Sequence, residues 1–211
     1  MISENELQDR IKIRYEGESS QDCVLSCGNT LQELDIKFGE IILDLGCGRG
    51  EDTIEAAIMV GPEGMAIGLD LSEAMIIEAI SRATNKKVTN AVFTKGKIES
   101  LPFPENSFDA VMSNCVINHA QDKSKAYREI HRVLIPNGRF VVADAMSKYP
   151  LPAEVKDDPE AWAQCFGGAI TEEEYLDSIL EAGFRKVEIL SRREYIKNGY
   201  DFISLTIKAV K

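Results

Sequence analysis

Short apolar runs alternate with amphipathic stretches along most of this chain, the pattern of buried strands threaded between helices. The first strong run, residues 40–45, sets Ile41, Ile42, Leu43 and Leu45 around one acid, Asp44, and ends in the turn Gly46-Cys47-Gly48-Arg49-Gly50. Residues 51–60 then read as a helix, closed by the turn Gly61-Pro62-Glu63-Gly64. A second strand, 65–70, ends on Asp70, and Ser72 is a good N-cap for a helix carrying Met75, Ile76, Ala79 and Ile80 on one face. Strands are predicted at 91–94 and 108–113, with a proline-containing loop between them. The clearest helix, 122–134, lines up Ala126, Tyr127, Ile130, Val133 and Leu134; Pro136-Asn137-Gly138 stops it and feeds a strand at 139–145. Residues 146–170 are the longest break in the alternation, and loops of that length tend to be functional. Thr171-Glu172-Glu173-Glu174 is a capping box, with Ile170 and Tyr175 spaced as a hydrophobic staple, for a helix ending at Gly183. Strands at 185–191 and 204–210 close the chain.

Ahead of the first strand, Leu7 and Ile11 mark a short amphipathic helix over 4–14, and 17–30 is a polar loop carrying Cys23 and Cys27. A helical turn at 31–38 is closed by Gly39. The sum is an α/β sheet with helices on both faces, without internal repeats or low-complexity tracts. The expected organisation is a single domain over 1–211. Residues 1–36 form an N-terminal helix and cysteine-bearing loop, 37–145 a ligand-binding core, and 146–211 a substrate-side loop with the last sheet elements.

Strand, glycine turn and helix N-terminus form the unit that brings backbone N–H groups close to a ligand. Asp70 is placed like the carboxylate that grips a ribose, but the dinucleotide fingerprint G-x-G-x-x-G fails, since its third glycine would fall on Glu51. The glycines instead alternate at Gly46, Gly48 and Gly50.

Charge narrows the partners. Twenty-four basic against 35 acidic residues leave −11, which repels nucleic-acid phosphates and anionic membranes. No apolar run is long enough to span a bilayer and no signal-peptide core opens the chain, so a cytoplasmic location is expected. The five cysteines, odd in number and widely spaced, do not form a disulfide framework or a zinc spacing, and taken singly each reads as a small buried hydrophobe.

The D-x-G-x-G-x-G pattern from Asp44, with an acid closing the second strand, resembles class I S-adenosylmethionine-dependent methyltransferases. That resemblance implies a Rossmann-like, seven-stranded, mostly parallel sheet with an antiparallel last strand. It also implies S-adenosylmethionine as cofactor. Asp44, Gly46, Gly48 and Gly50 would surround the methionine part and Asp70 would take the ribose hydroxyls. Ile98 and Glu99 would edge the adenine, and Asn114 would face the sulfonium.

More specific motifs follow. Ser113-Asn114-Cys115-Val116-Ile117-Asn118 with Asp122-Lys123, and Leu151-Pro152 leading through Asp158-Pro159-Glu160-Ala161-Trp162-Ala163-Gln164-Cys165 to Gly168-Ala169-Ile170, are similar to runs in arsenite methyltransferases. Cys27-Gly28-Asn29 matches a cysteine element of that family, with Thr30 in place of its proline. The resemblance assigns arsenic(III) binding to Cys115, Cys165 and Cys27, with Cys23 a nearby alternate, and a thiol reductant such as thioredoxin or glutathione as partner. Soft thiolates suit a soft, thiophilic centre, and a lone-pair nucleophile requires no general base. Two other readings remain. One is a methyltransferase for a small organic acceptor such as a quinone precursor, with His119 as base; the other is a non-catalytic metalloid-binding protein. His131 reads as a surface residue.

Overall fold

The apolar runs pair into a single seven-stranded sheet in the computed structural model, which describes residues 4–18 and 28–211. In chain order the elements are helix α1 (Glu4–Glu18), α2 (Thr30–Glu33), strand β1 (Ile41–Leu45), α3 (Glu51–Val60), β2 (Met65–Asp70), α4 (Glu73–Asn85), β3 (Ala91–Lys95) and β4 (Phe108–Asn114). A short 3-10 turn at Ile117–His119 leads to α5 (Lys123–Val133), β5 (Leu134–Ser147), α6 (Ala153–Lys156), α7 (Pro159–Ala163), α8 (Glu172–Glu181), β6 (Arg185–Lys197) and β7 (Tyr200–Val210). The strand order is β3-β2-β1-β4-β5-β7-β6; the first five strands are parallel, and β7 runs antiparallel to both its neighbours. The order reverses between β1 and β4, and a crevice outside the carboxyl ends of strands at such a point is where open α/β sheets take ligands.

Alternation along the central strands divides the core in two. Leu43, Leu45, Val111, Phe140 and Val142 face α5 and α8 through Tyr127, Ile130, Tyr175 and Ile179. Ile42, Ala110, Met112 and Val141 point the other way, onto Ala56, Ala57 and Val60 of α3. The capping box forms in both directions: Thr171 N donates to Glu174 Oε2 (2.8 Å), and Glu174 N donates to Thr171 Oγ1 (3.3 Å). Among the described residues, no helix is long and apolar enough to cross a membrane.

Several boundaries differ from the sequence reading. Helix α5 stops at Val133, and β5 begins directly at Leu134 rather than at 139. Pro136-Asn137-Gly138 therefore lies inside the strand's span, with Asn137 at φ 64° and a register shift opposite, between Phe108 and Ala110. Strands β6 and β7 are longer than their apolar content indicated and meet at Asn198-Gly199, both with positive φ (52° and 82°), the backbone such hairpin turns require. β6 is an edge strand with mostly exposed side chains, so Ser191-Arg192-Arg193-Glu194 carries no apolar signal. Ile80 is 49% exposed, and Ala83 completes the buried face of α4 in its place. The 146–170 stretch is not structureless: α6 and α7 fall within it and bury Val155, Ala161 and Ala163.

Helix α8 contributes Tyr175 and Ile179 to the core, so its cap should be measurable in global stability. Thr171→Ala should lower unfolding stability by about 1 kcal/mol. Thr171→Ser should retain most of it; urea denaturation midpoints at constant m-value check both.

Candidate functional site

The carboxyl ends of β1, β2 and β4, with α1 laid across them, enclose a cleft of about 540 Å³, within the ~300–1,000 Å³ usual for small-molecule sites. Asp44, Gly46, Gly48, Asp70, Ile98, Glu99 and Asn114 all line it. So do Cys115 and His119.

The glycine turn works differently from the simple picture of free amides offered to a ligand. Gly46 N and Cys47 N donate to Leu69 O (2.7 and 3.1 Å), Gly50 N donates to Cys47 O (2.8 Å), and Gly48 N donates to Asp70 Oδ2 (2.9 Å). These amides are spent inside the protein, which corrects the expectation that they face a ligand. What the glycines provide is room. A Cβ on Gly48 would meet nothing within 4 Å, whereas one on Gly46 would fall 2.2 Å from Val116 and one on Gly50 2.6 Å from Phe93. The turn is thus clamped on two sides and open on the third. That bare cradle beside a carboxylate fits an elongated ligand with a ribose.

Asp70 also accepts from Ser72 N (2.8 Å), so its carboxylate bridges the glycine turn and the start of α4 while keeping lone pairs toward the cleft. Burial pushes its pKa above the ordinary carboxylate value, against the hydrogen bonds from Ser72 and Gly48 that pull it down. Asp44 is buried at the end of β1 and accepts from Thr53 Oγ1 at 2.6 Å. Burial pushes it up to about 7, the Thr53 hydrogen bond opposes this, and Asp52 and Asp70 add to it. Glu99 Oε1 accepts from Gln121 N (3.0 Å), which ties the 97–99 edge of the cleft to the loop before α5. Asn114 Nδ2 donates to Gly28 O at 2.8 Å, fastening the segment before β1 across the cleft.

The cysteines fall into different states. Cys115 is buried, lines the cleft and is disulfide-bonded. This departs from the expectation of a free thiol there. Cys165 is a reduced thiol in the turn after α7, half-buried, its Sγ 3.2 Å from His119 Nε2. Cys47 is free and buried; burial, Asp44 and Asp70 push its thiol well above the ordinary range, so it is a packing residue against Gly68. Cys23 and Cys27 lie outside the described residues. Among the described residues, no three His, Cys, Asp or Glu side chains converge as a metal site.

Three features were not read from the sequence as parts of the site. Leu7, Gln8 and Ile11 of α1 form one wall of the cleft; their helical spacing was legible but not its destination. Arg49 and Gln121 also reach it. Behind His119 lies a buried polar cluster on β5. Asp144 accepts from Asn118 N (3.1 Å), Asn118 Nδ2 (2.9 Å), Ala145 N (2.9 Å) and Tyr175 Oη (3.4 Å). Burial raises Asp144 to about 6 and lowers the buried Lys123 to about 8. Burial also pulls His119 down, but the Cys165 sulfur, their hydrogen bond and Asp144 outweigh it and leave the imidazole above its ordinary value. The one visible signal was an acid inside the apolar run Val141-Val142-Ala143-Asp144-Ala145. His131 is not a plain surface residue either; its ring stands edge-on to Phe184 at 5.2 Å.

Comparison with known proteins locates this arrangement. Residues 36–183 match the family model described as a methyltransferase domain. An arsenite methyltransferase of Halobacterium salinarum is 38% identical over 200 residues, covering 90% of this chain and 51% of that protein. A ubiquinone/menaquinone biosynthesis C-methyltransferase of Hydrogenovibrio crunogenus is 32% identical, covering 76% of this chain and 72% of that one. Among solved structures, an arsenic(III) S-adenosylmethionine methyltransferase from Chlamydomonas reinhardtii superposes with a TM-score of 0.80 at 29% identity, over 94% of this chain and 73% of that one. The chain spans about half, or less, of the length of the curated arsenite methyltransferases it matches.

The Asp44 shift has a signed consequence. A carboxyl whose folded pKa is about 7 against an ordinary 3.8 stabilises the fold fully only below the lower value and loses that contribution as pH rises to about 7. Asp44→Asn keeps an oxygen for Thr53 and removes the titration. Wild-type stability measured against this variant should therefore fall between about pH 4 and 7, with a slope under ~1.4 kcal/mol per pH unit. Parallel pH–stability curves for the two proteins would contradict it.

Proposed function

The chain belongs to the class I S-adenosylmethionine-dependent methyltransferases, and we propose that it methylates trivalent arsenic held as a thiolate complex beside the cofactor cleft. The observation that carries this reading is that two cysteines from distant segments adjoin one turn: Cys115 precedes the Ile117–His119 turn and lines the cleft, and Cys165 meets the end of that turn through His119. The similarity to arsenite methyltransferases, which covers nearly the whole chain, supports it.

S-adenosylmethionine supplies a methyl group on a positively charged sulfur, whose bond breaks toward that sulfur. The chain's own residues do the rest. The glycine turn and Asp70 would hold the cofactor, with Asp44 behind them, Ile98 and Glu99 at its edge, and Asn114 toward the reacting end. Cys115 and Cys165 hold arsenic, with a third thiol from Cys27 or Cys23. Each As–S bond replaces an As–O bond, the thiol proton leaving with hydroxide as water. The arsenic lone pair opposite the sulfurs becomes the new As–C bond, and arsenic goes formally from +3 to +5. No side chain has to remove a proton in that step, so rate enhancement comes from placement.

The disulfide at Cys115 fits the same reading, because a sulfur in a disulfide cannot ligate arsenic until two thiols of a reductant reduce it. The proposed partner is therefore a thiol reductant such as thioredoxin or glutathione. A quinone-precursor acceptor is the second reading, supported by the ubiquinone/menaquinone relative. In that case His119 would need its Nε2 for the acceptor, and here that nitrogen faces a sulfur.

Purified protein given arsenite, a thiol reductant and methyl-labelled S-adenosylmethionine should form methylated arsenic, and omitting the reductant should suppress turnover at least tenfold. Cys115→Ser and Cys165→Ser should each cut the rate by a hundredfold or more while leaving cofactor binding within about threefold. Full arsenic methylation in both variants would remove the thiolate site. Transfer to a quinone-like phenol that survives both changes would favour the second reading.

A further inference from the structure

Cys165 does not line the cleft; the residue that joins it to the cleft is His119, which lines that wall and carries the sulfur contact. We propose that His119 is a positioning residue, whose Nε2 holds the Cys165 sulfur against the turn that follows Cys115, so that a thiophilic acceptor finds that ligand already placed. This deepens, and rests on, the thiolate-site reading above.

The turn that carries Cys165 is held to the 117–119 turn at several points. Asn118 Nδ2 lies 3.4 Å from Cys165 O and donates to Ala145 O at 2.6 Å and Asp144 Oδ1 at 2.9 Å. Asn118 O sits where a Cβ on Gly168 would fall at 2.0 Å, so the far side of the Cys165 turn is pressed against the same residue. Trp162 packs on Gly167 and Gly168 from the other side, with the Lys123 ammonium 5.5 Å above its ring. Lys197 Nζ donates to Gln164 O (2.7 Å), and Arg14 donates to Ala163 O. Cys165 itself sits at φ 63°, a left-handed conformation that is uncommon for a residue with a side chain and persists where surroundings over-determine it.

All this fixes the backbone of the turn; the direction of the thiol needs a contact of its own. His119 Nε2, at 3.2 Å, provides it from the cleft side. Arg14 and Lys197 also approach the turn, and their positive charges share the same neighbourhood as the sulfur. A ring nitrogen in contact with the sulfur fixes the thiol's rotamer, and so the side from which the sulfur is approached.

Reach separates this role from simple packing. His119→Gln places an amide nitrogen close to where Nε2 lies, whereas His119→Asn is polar but too short to touch the sulfur. The measurement is the rate of Cys165 carbamidomethylation by iodoacetamide at fixed pH, read on its own peptide by mass spectrometry. It is run on the whole protein with and without arsenite after phosphine reduction. Expected is a rate at least fivefold lower in His119→Asn and within twofold of wild type in His119→Gln. Arsenite should protect Cys165 in wild type and in His119→Gln. Equal rates in all three proteins, or a loss as large with Gln as with Asn, would overturn the positioning role. Rates that follow reach without any protection by arsenite would leave His119 as the positioning residue of Cys165 and remove the arsenic reading instead.

Discussion

A carboxylate buried within an apolar strand is the constraint from which the site follows. Asp144 lies fully inside β5, where an acid without partners would be strongly disfavoured, and its neighbours supply four hydrogen bonds. Two of these come from Asn118, so satisfying the acid fixes the short turn after β4. That turn carries His119 at its end and follows directly on Cys115. The need to pair one buried charge therefore aligns two cysteine-bearing segments that are 50 residues apart in sequence.

The cofactor side depends on a related economy of polar groups. Asp70 accepts backbone N–H donors from the glycine turn and from the start of α4, and Asp44 is held by Thr53. The turn's amides are consumed by this framework, which makes the cradle rigid before anything enters it. Helix α1 completes the enclosure with Leu7 and Ile11, apolar residues that limit the water in the cleft. In the proposed reaction, a lone pair attacking a methyl group needs alignment and a dry approach more than it needs acids or bases.

The sheet was legible because its central strands are apolar on both faces; residues 41–45, 65–70 and 108–113 announce themselves without help from tertiary context. The closing hairpin was only half legible. Its edge strand keeps its side chains in water, and the Asn198-Gly199 turn was the available clue. Positions along the cleft were what the methyltransferase resemblance implied; Asp44, Gly46, Gly48 and Asp70, at strand ends, line it, whereas Gly50 does not. The cluster behind the thiols was not readable, because no periodicity says that Asp144 meets Asn118 or that His119 meets Cys165. Nor does a sequence say which thiols are oxidised. The motif around Cys115 pointed to the right wall of the cleft, while its disulfide is a fact of the fold alone.

These elements support the proposed account: Cys115 lines a methyl-donor cleft, and Cys165 meets His119 at the end of the adjoining turn, which a buried acid pins. X-ray absorption at the arsenic edge, on the reduced protein loaded with one equivalent of arsenite, addresses it most directly. The account predicts three sulfur neighbours around arsenic, falling to two sulfurs and an oxygen when residue 165 is serine. An arsenic shell made of oxygen alone, or one that keeps all three sulfurs after that change, would contradict it.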